Sequence, residues 1–394
     1  MKPIMKNKLV ILGVTGFGIS LLATVGILLY PNLSDFVKTN LTQDIRSDGN
    51  EIIESNIIEE TKNPYLMPKD ATSILADTNQ NDQKTNFYKG LIFAYQENDT
   101  EAKNSFKKAL QLSGETEPAI IQNFLNAYSD FELAQNGQRI YLNALLTKAY
   151  IDAEEYPMAI EMATKILNEK SSYRDVWILL GYANLKMETY AEAESAFTKA
   201  KSIDSVKPEI HYFLGLSRFM QNNWSGAVEE LELAILYGFE PKSEAYQKMA
   251  ESQNSLGNYQ DALKAYEYLV NINQSSVGLF SEPIRIAIEN VKDLDRALTL
   301  ANLATTTFPG EALSWSLTAE VYLAKGELDS AENMIDTALG INSAFAKAYY
   351  IQGLIKEAKG ELTEAKSSYK KAYELSPKAD DLSAMSAIKY NALN

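Results

Sequence analysis

Residues 174–204 read RDVWILLGYANLKMETYAEAESAFTKAKSID. A first stretch carries Trp177, Leu180 and Gly181, and a second carries Ala193, Phe197 and Ala200. Spacings of four and seven place those last three on one face of a helix, the face that must be buried. Working outward, the small residue recurs at Ala159, Ala193, Ala227, Ala262, Ala297, Ala331 and Ala365, a near-constant step that never varies by more than one position. Four places later come Ala163, Phe197, Leu231, Tyr266, Ala301, Ile335 and Tyr369, and seven places later Ile166, Ala200, Ala234, Leu269, Ala304, Ala338 and Ala372. The small positions let a neighbouring helix approach, and the middle one supplies bulk. Twelve places ahead of the recurring Ala, on the preceding helix, stand Gly181, Gly215, Ala250, Ala319 and Gly353. A period of about 34 residues predicts stacked helical hairpins, an architecture that holds partners by surface contact.

The motif W-x-x-L-G at Trp177, Leu180 and Gly181, the turns Leu256-Gly257-Asn258-Tyr259, Lys325-Gly326-Glu327-Leu328 and Lys359-Gly360-Glu361-Leu362, and the closing Pro309 and Pro377 complete the pattern. The chain resembles the tetratricopeptide repeat family over roughly residues 83–377. That resemblance implies an all-α, right-handed superhelical solenoid of about eight hairpins. An earlier repeat shows as Gly90, Ala102, Phe106 and Ala109, and the stretch from Ala102 to Ala159 is longer than one repeat. The surplus reads as an extra helix at 119–134, with Ile120, Phe124, Tyr128 and Phe131 on one face. The repeat at 278–311 is the weakest. Its Pro283 belongs in a first turn, so that helix is expected to be short and to start near Glu282. Residues 378–394 read as a capping helix with a polar outer face, through Leu382, Met385, Ile388 and Ala392.

Residues 9–30 are uncharged and largely apolar, long enough to span a bilayer as one transmembrane helix, a signal anchor, behind a basic tail at 1–8. The lysines at 2, 6 and 8 favour a cytoplasmic N-terminus, which puts the repeats outside the cytoplasm, periplasmic or extracellular. Residues 31–82 carry a net charge of −6 and read as a flexible acidic tether.

The whole chain has a net charge of −15, of which 83–394 contribute −12. An acidic solenoid without a basic stripe argues against binding nucleic acid. With no cysteine there are no thiol nucleophiles or disulfides, and no metal site or cofactor site is expected. The one histidine, His211, falls at the repeat position of Trp177 and Trp315, so it reads as packing. No catalytic constellation is expected.

In the resembled family the first helix of each hairpin lines a concave surface. Carried onto this chain, that surface includes Lys148, Tyr182, Lys186, Tyr212, Leu216, Phe219 and Met220, then Glu251, Glu320 and Tyr350. Aromatic anchors suit capture of protein or peptide segments. Several of these side chains read equally as core between repeats. The paired Lys and Asn with which chaperone-binding members hold a terminal carboxylate are missing at every corresponding position, for example Ala144/Lys148 and Ile178/Tyr182. The leading expectation is a membrane-tethered scaffold or adaptor in envelope, secretion, or pilus and surface assembly. The alternative is a cytosol-facing receptor or co-chaperone at a membrane.

Overall fold

A computed structural model of the chain describes residues 71–76, 82–114, 118–134, 137–378 and 380–393. The expected membrane span at 9–30 and nearly all of the tether at 31–82 lie outside the described residues. Within the tether range Ala71–Ala76 forms a short helix, α1. No described helix is long and apolar enough to cross a membrane.

Every regular element among the described residues is helical. The chain forms two compact units that divide at Gly257/Asn258. The first holds hairpins of α2 (Gln83–Tyr95) with α3 (Asp99–Leu112), α5 (Arg139–Asp152) with α6 (Tyr156–Glu169), α7 (Arg174–Lys186) with α8 (Tyr190–Ile203), and α9 (Pro208–Met220) with α10 (Trp224–Leu236). It ends on α11 (Lys242–Ser255). The second opens on α12 (Tyr259–Ile272) and continues through α13 (Ser281–Ile286) with α14 (Leu294–Thr307), α15 (Ala312–Lys325) with α16 (Leu328–Ile341), and α17 (Ala346–Ala358) with α18 (Leu362–Leu375). It closes on α19 (Asp381–Ala392). Seven hairpins thus lie whole within a unit, and the two helices of the remaining repeat fall in different units.

The recurring alanines are all buried, as are the residues four and seven places after them. Where the first helix carries a glycine sixteen positions before the bulky residue, that glycine is its partner. A Cβ added at Gly181 would lie 2.6 Å from the Phe197 ring, and one added at Gly353 would lie 2.5 Å from the Tyr369 ring. Gly90 faces Phe106 and Gly215 faces Leu231 in the same way. Each of these bulky side chains therefore rests on bare backbone, and the two helices of the hairpin sit closer than any side chain would allow.

The turn between the helices is equally uniform. Its pivot has a left-handed backbone at Glu97, Glu154, Glu188, Asn222, Gly326 and Gly360, with φ between 59° and 79°. At Glu188 the turn closes by paired bonds, Glu188 N to Leu185 O at 3.1 Å and Thr189 N to Asn184 O at 3.0 Å, and the other turns repeat them. This pairing satisfies carbonyls that a helix end leaves open. Glycine marks the pivot in only some repeats, which is why the sequence pattern shows the turn clearly there alone.

The extra helix is α4, Pro118–Leu133. It does not interrupt the stacking of first helices, since Tyr150 Oη on α5 donates to the Leu91 carbonyl on α2 at 2.8 Å. Instead α4 inserts Phe124 between the hairpins, stacked on Phe106 at 4.6 Å and edge-on to Tyr150 at 5.2 Å. The weakest repeat is irregular as expected. A 3₁₀ turn at Val277–Phe280 leads into the short α13, with Pro283 in its first turn, and a π-helical turn at Ala287–Val291 follows. The helix starts just before the expected Glu282, because the 3₁₀ turn feeds directly into it.

Two outcomes follow for urea unfolding followed by circular dichroism. Gly181→Ala pushes a methyl group into the Phe197 ring and is expected to cost about 1–3 kcal/mol, the range for overpacking a core. Glu188→Gly removes the left-handed strain of a residue that bears a Cβ, about 1–2 kcal/mol. Glycine's larger unfolded-state entropy offsets part of this, so a net gain of up to about 1 kcal/mol is expected.

Candidate functional site

The first-helix surface of the first unit is built from α5, α7, α9 and α11. Lys148 Nζ on α5 pairs with Asp152 Oδ2 at 3.2 Å, and that same oxygen accepts from Asn123 Nδ2 of α4 at 3.0 Å. On α7, Tyr182 is 2% exposed and packs edge-on to Phe213 at 5.8 Å. The amine of Lys186 lies 5.5 Å over the Tyr182 ring, and burial pushes its pKa below the ordinary lysine value against the opposing pull of Glu154. On α9, Tyr212 is 4% exposed and stacks on Phe239 at 4.1 Å, while Leu216 is 1% exposed. Tyr212 Oη donates to Glu244 Oε2 at 3.0 Å, and burial raises the Glu244 carboxyl.

Tyr182, Tyr212 and Leu216 are therefore core. The aromatic area assigned to a partner is already consumed by the neighbouring first helix and by Phe239 in the loop after α10. This corrects the sequence expectation for those three positions. Their spacing does put them on the predicted face, but the next helix lies over it.

What remains open is concentrated at the end of α9. Phe219 is half-buried, edge-on to Trp224 at 5.1 Å, with Lys248 Nζ of α11 held 4.6 Å from its ring centroid. Beside it Met220 is 40% exposed. Lys248 also bonds Glu251 Oε2 at 2.8 Å, and Gln247 Nε2 donates to Glu251 Oε1 at 3.0 Å. Lys248 thus joins two residues singled out from sequence, Phe219 and Glu251, yet lies off the positions that the repeat register selected. Its proximity to Phe219, on the first helix of the preceding repeat, is visible only in three dimensions. Glu320 and Tyr350 belong to the second unit. There Glu320 pairs with Lys347 at 3.1 Å, and Tyr350 packs on Tyr369 at 5.8 Å, with burial raising its phenol.

His211 is buried and does the work of the tryptophans at its repeat position. Trp177 Nε1 donates to the Ser171 carbonyl at 2.7 Å and Trp315 Nε1 to the Pro309 carbonyl at 2.9 Å, each in the loop before its helix. His211 Nε2 likewise sits 2.9 Å from the Ser205 carbonyl, and Nδ1 faces Glu230 Oε2 at 2.7 Å. Glu230 is buried and also accepts from Lys201 Nζ at 2.8 Å and Arg218 Nη1 at 3.0 Å. Burial opposes its charge, but the bonds from His211 and Lys201 outweigh it and hold the carboxyl below its ordinary 4.5. These contacts bind α8, α9 and α10 together. Among the described residues no cluster of side chains suits a metal ion.

Helical hairpins locked by a small residue, with partly open first-helix side chains, define a scaffold of the solenoid class. Comparison with known proteins specifies it. Residues 175–206 match the family model described as tetratricopeptide repeat, and 243–384 match the tetratricopeptide repeat protein 21 C-terminal ARM domain. These two segments are thus similar to tetratricopeptide repeats, a class whose members bind protein or peptide partners. A DnaJ homolog subfamily C member 7 homolog from Schizosaccharomyces pombe is 26% identical over 200 residues, covering 50% of this chain and 38% of that relative. The chain therefore matches well under half the length of this curated relative. Among solved structures, the C-terminal part of a TPR repeat-containing protein from Cytophaga hutchinsonii is 12% identical, with a TM-score of 0.50, covering 62% of this chain and 98% of that one. A tetratricopeptide repeat protein from Parabacteroides merdae is 16% identical, with a TM-score of 0.41, covering 65% and 99%.

Because the Glu230 carboxyl is depressed, the stability it supplies is present above pH 4.5 and lost as pH falls through its lowered value. Glu230→Gln is expected to lower stability at pH 7 by on the order of 1–3 kcal/mol. The gap to the parent protein should close on acidification below pH 4.5, read from thermal melts across that range.

Proposed function

We propose that the chain is a membrane-tethered scaffold whose first unit captures protein segments at the end of α9, outside the cytoplasm, in envelope, secretion or surface assembly. The observation that carries the capture site is the grouping of half-buried Phe219, exposed Met220 and the Lys248–Glu251 pair on adjacent first helices. An apolar side chain of a bound segment fits against Phe219 and Met220. The charged pair beside them supplies a donor and an acceptor for its backbone or flanking charges. The apolar stretch 9–30 and its preceding lysines support the tether and its orientation.

A second reading, a cytosol-facing receptor or co-chaperone, is favoured by the similarity to the DnaJ homolog. The missing Lys and Asn pairs count against it. Protease treatment of intact cells or spheroplasts separates the two readings. Repeats outside the cytoplasm are digested, whereas cytosolic repeats are protected until lysis.

Replacing Phe219 and Met220 together by Ala is expected to reduce capture of crosslinked host proteins at least roughly tenfold, the loss of one anchoring cluster, with unchanged helicity. Undiminished capture by the double variant would remove the end of α9 as the site. Tyr212→Ala, by contrast, is expected to lower the melting temperature, since it empties a buried stack.

A further inference from the structure

The chain holds a single histidine, and both nitrogens of its ring meet oxygen atoms. At the same repeat position Trp177 and Trp315 each have one N–H, and each donates it to one carbonyl. His211 Nε2 makes the equivalent contact with the Ser205 carbonyl, an oxygen that can only accept, so Nε2 carries a proton. Nδ1 is the nitrogen that tryptophan lacks, and it lies 2.7 Å from Glu230 Oε2 on α10. Lys201 Nζ of α8 touches both oxygens of that carboxyl, at 2.8 and 3.1 Å, and Arg218 Nη1 of α9 reaches Oε1 at 3.0 Å. Two cations on one carboxyl favour its ionised form, which also only accepts. Both partners of the ring are therefore acceptors, and only the doubly protonated imidazolium has a donor for each.

We infer that His211 is a proton-operated latch between the hairpin α7–α8 and the hairpin α9–α10, closed when the ring is charged and loosened when it is neutral. A neutral ring keeps one N–H, so one of its two contacts becomes acceptor against acceptor inside the protein. The groups around it allow both states. His211 and Glu230 are each 1% exposed at the side chain, so the enclosed pair is neutral overall when both are ionised. Lys201 and Arg218 are partly exposed, and Arg218 Nε also bonds Glu194 Oε1 of α8 at 2.9 Å. Their positive charge opposes a third cation, so the second ring proton is held by contact and yet releasable. Tyr237 lies against the ring at 5.1 Å, and Asp204, next to Ser205, is taken by Arg174 Nη1 at 2.8 Å. The folded cluster gains a bond from the second proton that the unfolded chain does not, so the latch weakens as rising pH removes it. Glu230 acts in the opposite sense, losing its bonds toward acid. The clasp is thus tightest between the two titrations, and the latch works the same way whatever the end of α9 captures.

Hydrogen exchange of the full-length chain in mild detergent tests the latch, at about pH 5.5 and about pH 8.5, on either side of ordinary imidazole titration. After correction for intrinsic exchange rates, the opening constant of amides in α8, α9 and α10 is expected to rise about fivefold at the higher pH, the loss of one hydrogen bond. Amides of α17 and α18 in the second unit serve as the control and are expected not to respond. Glu230→Gln offers Nδ1 an amide N–H, which lets a neutral ring make both contacts, so the pH response should vanish in a variant that is weaker overall. His211→Trp restores the residue of other repeats, and its α8–α10 amides should be insensitive to pH in the same way. Because no other imidazole is present, nitrogen-15 labelling of histidine reports this ring alone. Both ring nitrogens are expected to be protonated at the lower pH and one at the higher. An unprotonated Nδ1 in the folded chain at the lower pH would mean that Glu230 carries the proton, and would overturn the proposal. Equal protection of α8–α10 at the two pH values, or a pH response undiminished in Glu230→Gln, would overturn it as well.

Discussion

The close approach of two helices over a missing side chain governs the hairpins of this protein. Phe197 can lie on the backbone at Gly181, and Tyr369 on the backbone at Gly353, because nothing projects from the glycine Cα. Bringing helices this near trades a few side-chain contacts for many backbone-to-ring contacts at van der Waals distance. It also fixes the register, since sliding one helix by a single turn would set the ring against a neighbour with a Cβ. The alanines flanking each bulky residue extend that tight seam along the second helix. Everything further out, including which side chains reach solvent, inherits its position from this seam.

The seam works only if the chain reverses in the same way each time. The left-handed pivot supplies that reversal, and the paired carbonyl bonds around it make the geometry independent of the side chain present. Glu97, Glu154 and Glu188 occupy it despite the strain that any Cβ introduces there. Tertiary packing of the two helices overrides a local preference that is small by comparison. The same dominance accommodates α4. An additional helix enters between two hairpins because Phe124 completes an aromatic cluster with Phe106 and Tyr150, while the α2–α5 contact persists beside it.

Burial and function compete for the same residues on the first-helix surface. Tyr182 and Tyr212 are large and amphipathic, properties that serve a binding groove and an inter-helix core equally well. Here the core takes them. Tyr212 is closed over by Phe239 and anchored by Glu244, so its hydroxyl is satisfied inside the protein. Phe219, further along α9, escapes this because Lys248 covers its ring with a cation that itself stays partly solvated. His211 shows the opposite resolution, a polar ring absorbed into the core by facing the carbonyl that tryptophan serves in other repeats.

The sequence by itself determined the class of fold, the period and the buried face. Those depend on spacing along a helix, and a helix converts spacing directly into direction. It likewise exposed the irregular repeat at Pro283 and the surplus helix near Phe124, because proline chemistry and chain length are local quantities. Only the tertiary structure decided which first-helix side chains are open, that Lys248 joins Phe219 to Glu251, and that Ser383 and Ser386 of α19 are buried while Ile388 is exposed. Each of those depends on what lies opposite a residue, often a whole repeat away, and a repeat pattern fixes the facing direction without fixing the depth of cover. The turn pivots at Glu97, Glu154 and Glu188 were hidden for a related reason. Their backbone conformation is imposed by the helices on either side, so no signature residue had to be present.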